Sequence, residues 1–144
     1  MDKLSQILII DDDPLTGFLH KKFIKRHGVP HQVETVSSGE QALQLLNSCI
    51  QTKNEDKIPQ LIFLEVDMPF DDGFNFLRAY QKLEFKDKDS VVIAALTCSV
   101  SSKLKNRIKE YPIHDYVEKP LTEEGLFALM KRHFSGDKNK EIKS

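Results

Sequence analysis

Five strand-like runs, each giving way to a polar residue and each followed by a helical pattern, constrain this chain more than any other feature. Ile7-Leu8-Ile9-Ile10 is stopped by three aspartates, Leu61-Ile62-Phe63-Leu64 by Glu65, and the run Val91 to Leu96 by Thr97. Val33 to Val36 and His114 to Val117 are the two weaker members. Short runs that are apolar throughout suit strands buried on both faces, as parallel sheets produce. Between them, apolar residues recur at helical spacing: Leu15, Phe18, Leu19 and Phe23; Ala42, Leu43, Leu45, Leu46, Cys49 and Ile50; Phe74, Leu77, Tyr80 and Leu83. Leu104 and Ile108 anchor a sparser fourth helix, and Leu126, Leu129, Met130 and Phe134 a fifth. Strand and helix alternate five times, which predicts an α/β fold, a three-layer α/β/α sandwich around a parallel sheet.

The spacing predicts one domain over residues 1–134 and a polar, Lys-rich tail over 135–144 that is expected to fray. With 21 basic and 22 acidic residues, the chain lacks the bulk positive charge that would favour a nucleic-acid partner. No apolar run approaches 18 residues, so no membrane span is expected. Cys49 and Cys98 are not closely paired and read as small structural hydrophobes in a reducing compartment; a cytoplasmic location is expected.

Open parallel sheets collect functional groups at the carboxyl ends of their strands. Here those positions hold Asp11, Asp12 and Asp13, then Glu65 and Asp67, then Thr97, then Lys119. Converging carboxylates repel one another and raise one another's pKa values. A hard cation such as Mg2+ relieves that repulsion through oxygen ligands. A threonine hydroxyl and a lysine beside such acids describe a phosphoryl-binding pocket. Plainer roles compete: Asp13 before Pro14 has the chemistry of a helix N-cap, and Asp67 before Met68-Pro69 could form a turn.

The combined pattern resembles the receiver domain of bacterial two-component response regulators (CheY-like), over about residues 5 to 134. ILIIDDDP looks like the opening strand with its acidic pair, FLEVDMPFDDGFNFL like the phosphoacceptor strand and loop, ALTCS like the switch-hydroxyl segment, and DYVEKPL like the segment with the switch aromatic and the lysine. The resemblance implies a flavodoxin-like, doubly wound sheet of order 2-1-3-4-5. It implies Mg2+, weakly held, with Asp12 as direct ligand, Asp11 acting through water, and position 67 lending its backbone carbonyl. It also implies switching through Thr97 and Tyr116, and a cis bond between Lys119 and Pro120.

The resemblance breaks at Glu65, which stands where the family has its phosphoacceptor aspartate. The extra methylene moves the carboxylate by about an ångström, and a misplacement of that size costs about 100-fold in an in-line attack. Glu65 is a metal ligand and the acceptor-position residue in this reading, and self-phosphorylation is expected to be impaired, so no enzyme activity is expected. Two outcomes stay open: Glu65 mimics a phosphoryl group and draws Thr97 and Tyr116 into the activated arrangement, or it pairs with Lys119 and leaves a silent pseudo-receiver scaffold. The resemblance implies a single-domain signalling protein, monomeric or weakly dimeric, working through the face of its fourth helix, fifth strand and fifth helix, about residues 101–134. Its expected partners are a histidine kinase or phosphotransfer protein, a downstream effector protein, or both; no DNA-binding domain and no membrane are expected. A small-molecule phosphohydrolase is the remote alternative, and it lacks the insertion that would cover a substrate. A flavodoxin-like cofactor binder is disfavoured because DDDP would repel a cofactor phosphate.

Overall fold

The computed structural model describes residues 4–27 and 32–134. Five parallel strands, β1 (Gln6–Ile10), β2 (Gln32–Val36), β3 (Leu61–Glu65), β4 (Val92–Thr97) and β5 (Asp115–Glu118), lie in the order β2-β1-β3-β4-β5. They alternate with α1 (Pro14–Arg26), α2 (Gly39–Gln51), α3 (Asp72–Gln81), α4 (Ser102–Ile108) and α5 (Glu123–Phe134). The expected α/β sandwich and strand order are both observed. Strand order reverses at β1, so the loops leaving β1 and β3 diverge and open a crevice above their carboxyl ends.

Every residue of β3 and β4 is buried, which is why these segments read as unbroken apolar runs. Period-two alternation sends Leu8, Ile10, Ile62, Leu64, Ile93 and Ala95 into the layer packed with α2 and α3. The intervening Ile7, Ile9, Leu61, Phe63 and Ala94 enter the layer that also contains Ile24 of α1 and Leu126 and Leu129 of α5. Burying one such side chain contributes about 1.5–3 kcal/mol, and both layers together fix the strand ends that carry the polar residues.

The polar connection after α2 contains a short 3-10 turn, Glu55–Lys57. The fifth strand starts one residue later than its sequence pattern suggests. The tail 135–144 lies outside the described residues.

One helix departs from its sequence reading. The apolar recurrence in α1 points to Leu15, Phe18 and Leu19 as its inner face, yet these are 64%, 52% and 54% exposed. Its buried positions are Gly17, His20 and Ile24. Asp13 caps the helix and Pro14 occupies its first turn, as expected. The phase is then set by contact: Gly17 lies against Thr35 of β2, and His20 Nε2 accepts from the Leu121 N–H at 3.4 Å. The cysteines split: Cys49 packs partly against the core, as a small structural hydrophobe does, whereas Cys98 is exposed, contrary to that reading.

Gly73 couples the fold to the crevice. A Cβ there would lie 2.9 Å from the Glu65 carbonyl oxygen and 3.4 Å from Val66 Cα, both backbone atoms that cannot swing away. Gly73→Ala is therefore expected to destabilise the chain by about 1–3 kcal/mol, as overpacking does. A urea melt with an unchanged midpoint would contradict this contact.

Candidate functional site

The carboxyl end of β1 supplies Asp11, which is 2% exposed. Its Oδ1 accepts the Asp13 N–H at 2.9 Å. Its Oδ2 is buried with no hydrogen-bond partner and lies 3.6 Å from Lys119 Nζ. Asp12 is exposed beside it. Asp13 accepts the Thr16 hydroxyl at 2.6 Å and the Leu15 N–H at 3.2 Å, so its carboxylate works as a cap, and the Thr16 hydroxyl in particular holds its pKa below the usual range.

Glu65 ends β3 and is also 2% exposed. Both of its oxygens are engaged. Oε1 accepts a hydrogen bond from Lys119 Nζ, and Oε2 accepts the Asp67 N–H at 2.7 Å. Burial pushes the Glu65 carboxyl above its ordinary pKa, opposed by the hydrogen bonds from Lys119 and Asp67. For Lys119 burial acts downward, but the hydrogen bond and charge of Glu65 and the charge of Asp11 outweigh it and lift the ammonium. Lys119 is positioned by its N–H, which donates to the Thr97 carbonyl at 2.8 Å, and by a cis bond to Pro120.

Thr97 ends β4 and is 1% exposed. Its hydroxyl donates toward Asp67 Oδ2 at 3.0 Å, and the Cys98 N–H donates to the same oxygen at 3.1 Å. The side chain of Asp67, which the sequence placed among the strand-end acids and the resemblance reduced to a backbone carbonyl, is therefore a working part of the site. The missing signal was register: Glu65 pairs with Leu96, which sets residue 67 beside residue 98. Tyr116 does not join this cluster. It stands 37% exposed on β5, with Lys105 Nζ 5.3 Å from its ring centroid.

The structure thus brings together Asp11, Glu65, Asp67, Thr97 and Lys119, with Asp12 at the rim and Tyr116 apart. Among the described residues no three His, Cys, Asp or Glu side chains form a group able to hold a metal ion by themselves. The buried, unpartnered Asp11 Oδ2 with Asp12 beside it fits a loosely held Mg2+, which usually keeps several waters and takes one or two carboxylates. Each Glu65 oxygen already accepts one hydrogen bond, from Lys119 and from the Asp67 amide, so Glu65 would join such a set only through its remaining lone pairs. His20 was not foreseen; its signal was its i+3 spacing from Gly17 on the buried face of α1, where burial lowers its pKa.

The family profile of the response regulator receiver domain matches residues 7–131. A probable C4-dicarboxylate response regulator of Halalkalibacterium halodurans is 27% identical over 132 residues, covering 92% of this chain and 52% of that protein. A peroxide stress-activated histidine kinase of Schizosaccharomyces pombe is 28% identical over 139 residues, covering 92% of this chain and 6% of that protein. A two-component response regulator of Arabidopsis thaliana is 27% identical over 92% of this chain and 85% of its own length. The chain therefore spans about half the length of the first of these relatives and a small part of the second. Among solved structures, a two-component response regulator from Cytophaga hutchinsonii superposes with a TM-score of 0.79 at 23% identity, over 91% of this chain and 97% of that one. The receiver domain of a histidine kinase from Arabidopsis thaliana, complexed with Mg2+, superposes at 0.76 with 22% identity, over 89% and 90%. No described helix is long and apolar enough to cross a membrane.

Removing Lys119 leaves the buried Glu65 and Asp11 carboxylates without their shared cation. In Lys119→Met, a buried carboxylate loses its counterion, a loss of about 3–5 kcal/mol when the carboxylate is ionised. Because burial raises the folded-state pKa of Glu65, stability is fully present below its unfolded value and is lost as pH rises through the folded value. The deficit of Lys119→Met relative to the parent is therefore expected to be larger at pH 8 than at pH 5. Urea melts at the two pH values measure it, and a pH-independent deficit would rule this account out.

Proposed function

The chain belongs to the response regulator receiver domain family of two-component signalling, and from that premise we propose a receiver whose phosphoryl pocket is closed by its own side chains. Glu65 stands at the family's acceptor position in this reading. The observation that carries the proposal is its pairing with Lys119, the ammonium that would otherwise attract a phosphoryl oxygen. Oε2 is held in turn by the Asp67 N–H, so the carboxylate is not presented for in-line attack.

Each residue then has a stated task. Asp11 and Asp12 would hold Mg2+, weakly, with Glu65 withheld from the set and position 67 lending a carbonyl. When bound, the ion would neutralise the acid cluster and stabilise phosphoryl oxygens. Lys119 fixes Glu65 and ties the end of β5 to the end of β3. Thr97 keeps the β4–α4 loop in one arrangement, while Tyr116 remains at the surface. Of the two outcomes open to the sequence, the exposure of Tyr116 and the internal satisfaction of Lys119 and Thr97 favour the resting form over a phosphoryl mimic. Both states would have to differ in their contacts with Glu65 for it to shift the balance, and one carboxylate lacks the charge of a phosphoryl group.

Signalling is by protein contact rather than by enzyme activity, in the cytoplasm, from a monomer or weak dimer. A groove of about 620 Å3 between α4, β5 and α5, lined by Lys105, Ile108, Tyr111, His114, Tyr116 and Arg132, supports a protein partner on that face. Receiver domains in general meet histidine kinases, phosphotransfer proteins and effectors. Here we assign kinase or phosphotransfer contact to the crevice side and effector contact to the groove.

Acetyl phosphate with Mg2+ followed by intact-mass measurement tests the reading. The parent chain is expected to keep its mass, and Glu65→Asp to gain one phosphoryl group. Uptake by the parent at Glu65 or Asp67 would overturn the closed-pocket reading. Failure of the Asp variant would overturn the view that Glu65 blocks the acceptor position.

A further inference from the structure

Outside the Glu65–Lys119 pair, the crevice holds a second set of anion-seeking donors. The Thr97 hydroxyl and the Cys98 N–H converge on one point, and that point is occupied by Asp67 Oδ2 at 3.0 and 3.1 Å. Two donors aimed at a single oxygen from adjacent residues make an anion site in miniature. The hydroxyl has one proton and two acceptors in reach, Asp67 Oδ2 at 3.0 Å and the Ser99 carbonyl at 3.1 Å. A carboxylate oxygen is a stronger acceptor than a carbonyl, so the hydroxyl donates to Asp67 Oδ2. The Ser99 N–H completes the arrangement by donating to the Thr97 oxygen at 3.2 Å.

The loop carrying Asp67 is built to keep it there. Its amide is held by Glu65 Oε2, two residues back. Further along, Phe70 and Asp71 both adopt left-handed backbone at φ 59° and 56°, a conformation uncommon for either residue type in succession. That turn delivers the Asp71 carboxylate to Arg107 of α4 at 2.8 Å. Thus the β3–α3 loop is pinned to the β4–α4 loop by Asp67 and to α4 by Asp71.

We propose that the Asp67 carboxylate is an internal ligand of the anion site formed by the Thr97 hydroxyl and the Cys98 amide, and that it competes with any external phosphate for those donors. The proposal rests on the closed-pocket reading for its setting, since Glu65 occupies Lys119 and Asp67 occupies the remaining donors. Together the two carboxylates satisfy the crevice from within. Asp67 is exposed on its other side, so it can leave without unpacking the core. It is a positioning residue for the switch hydroxyl.

Amide hydrogen exchange and inorganic-phosphate titration of the isotope-labelled full chain, read by NMR at Cys98 and Ser99, test it. In Asp67→Ala the Cys98 amide is expected to exchange about ten-fold faster, the equivalent of losing one charge-assisted hydrogen bond. Inorganic phosphate is expected to shift the Cys98 and Ser99 resonances in Asp67→Ala and to leave the parent unchanged. Asp67→Asn keeps an acceptor oxygen without the charge, so its Cys98 amide should stay closer to the parent while the phosphate response appears. Unchanged amides in β4 show that each variant is folded; if Asp67→Ala is not, Asp67→Asn decides through its phosphate response. Equal Cys98 exchange and no phosphate response in the folded variants would overturn the proposal. The outcome separates from that of the pocket reading. If the parent takes up a phosphoryl group from acetyl phosphate yet Asp67→Ala frees Cys98, the closed pocket falls and the Asp67 ligand stands. If the parent stays unmodified and Asp67→Ala changes nothing at Cys98, the Asp67 ligand falls and the closed pocket stands.

Discussion

The buried pair between Glu65 and Lys119 is the contact on which the rest of the crevice depends. It joins the ends of β3 and β5, which are separated in the sheet by β4, and it does so with both charges largely removed from water. Such a pair adds little net stability compared with apolar residues of the same size, because desolvation consumes most of the Coulombic gain. Its consequence is positional. Once Lys119 is fixed, Glu65 is fixed, and the second Glu65 oxygen then orients the Asp67 amide. Asp67 in turn captures Thr97 and Cys98. A single ion pair therefore organises three strand ends.

That chain of contacts requires the sheet order. With β1 and β3 adjacent and their connections leaving in opposite directions, Asp11 comes within 3.6 Å of Lys119 Nζ although the two lie at distant points of the sequence. Asp11 Oδ2 is left buried without a hydrogen bond, a costly arrangement for a carboxylate oxygen unless charge lies nearby. Lys119 is that charge here, and it serves two carboxylates at once. The site consequently holds more negative than positive charge; burial chiefly raises the pKa of Glu65, the Asp11 charge adds to it, and a cation at Asp11 and Asp12 would relieve the excess.

The strands, their order of appearance and the identity of the strand-end residues were legible in the sequence because parallel strands buried on both faces leave continuous apolar runs. Gly73 lies within the stretch FLEVDMPFDDGFNFL that carried the resemblance, and the structure gives its reason in the 2.9 Å approach of its Cβ position to the Glu65 carbonyl. What failed was any inference needing rotation or register. The inner face of α1 was misjudged because a small residue and a histidine, Gly17 and His20, take the buried positions while Leu15, Phe18 and Leu19 face outward. Periodicity counts apolar residues; it does not see that a backbone amide at Leu121 needs an acceptor from His20. The role of the Asp67 side chain was hidden for the same kind of reason, since a single sequence carries no strand register.

Two acids spaced two apart at the end of a buried strand now have a physical explanation. On an unbroken strand they would share a face and repel. Here β3 ends at Glu65, and the backbone turns so that the Asp67 N–H folds back onto the Glu65 carboxylate while the Asp67 side chain projects toward β4. The first carboxylate is neutralised by a lysine and the second by a hydroxyl and an amide, so each acid answers a different set of donors. An aspartate at position 65 would be one methylene shorter and would be expected to reach Lys119 and the Asp67 amide together less readily. The extra carbon of Glu65, which in the closed-pocket proposal disfavours phosphoryl transfer, would then be the same feature that lets the crevice close on itself.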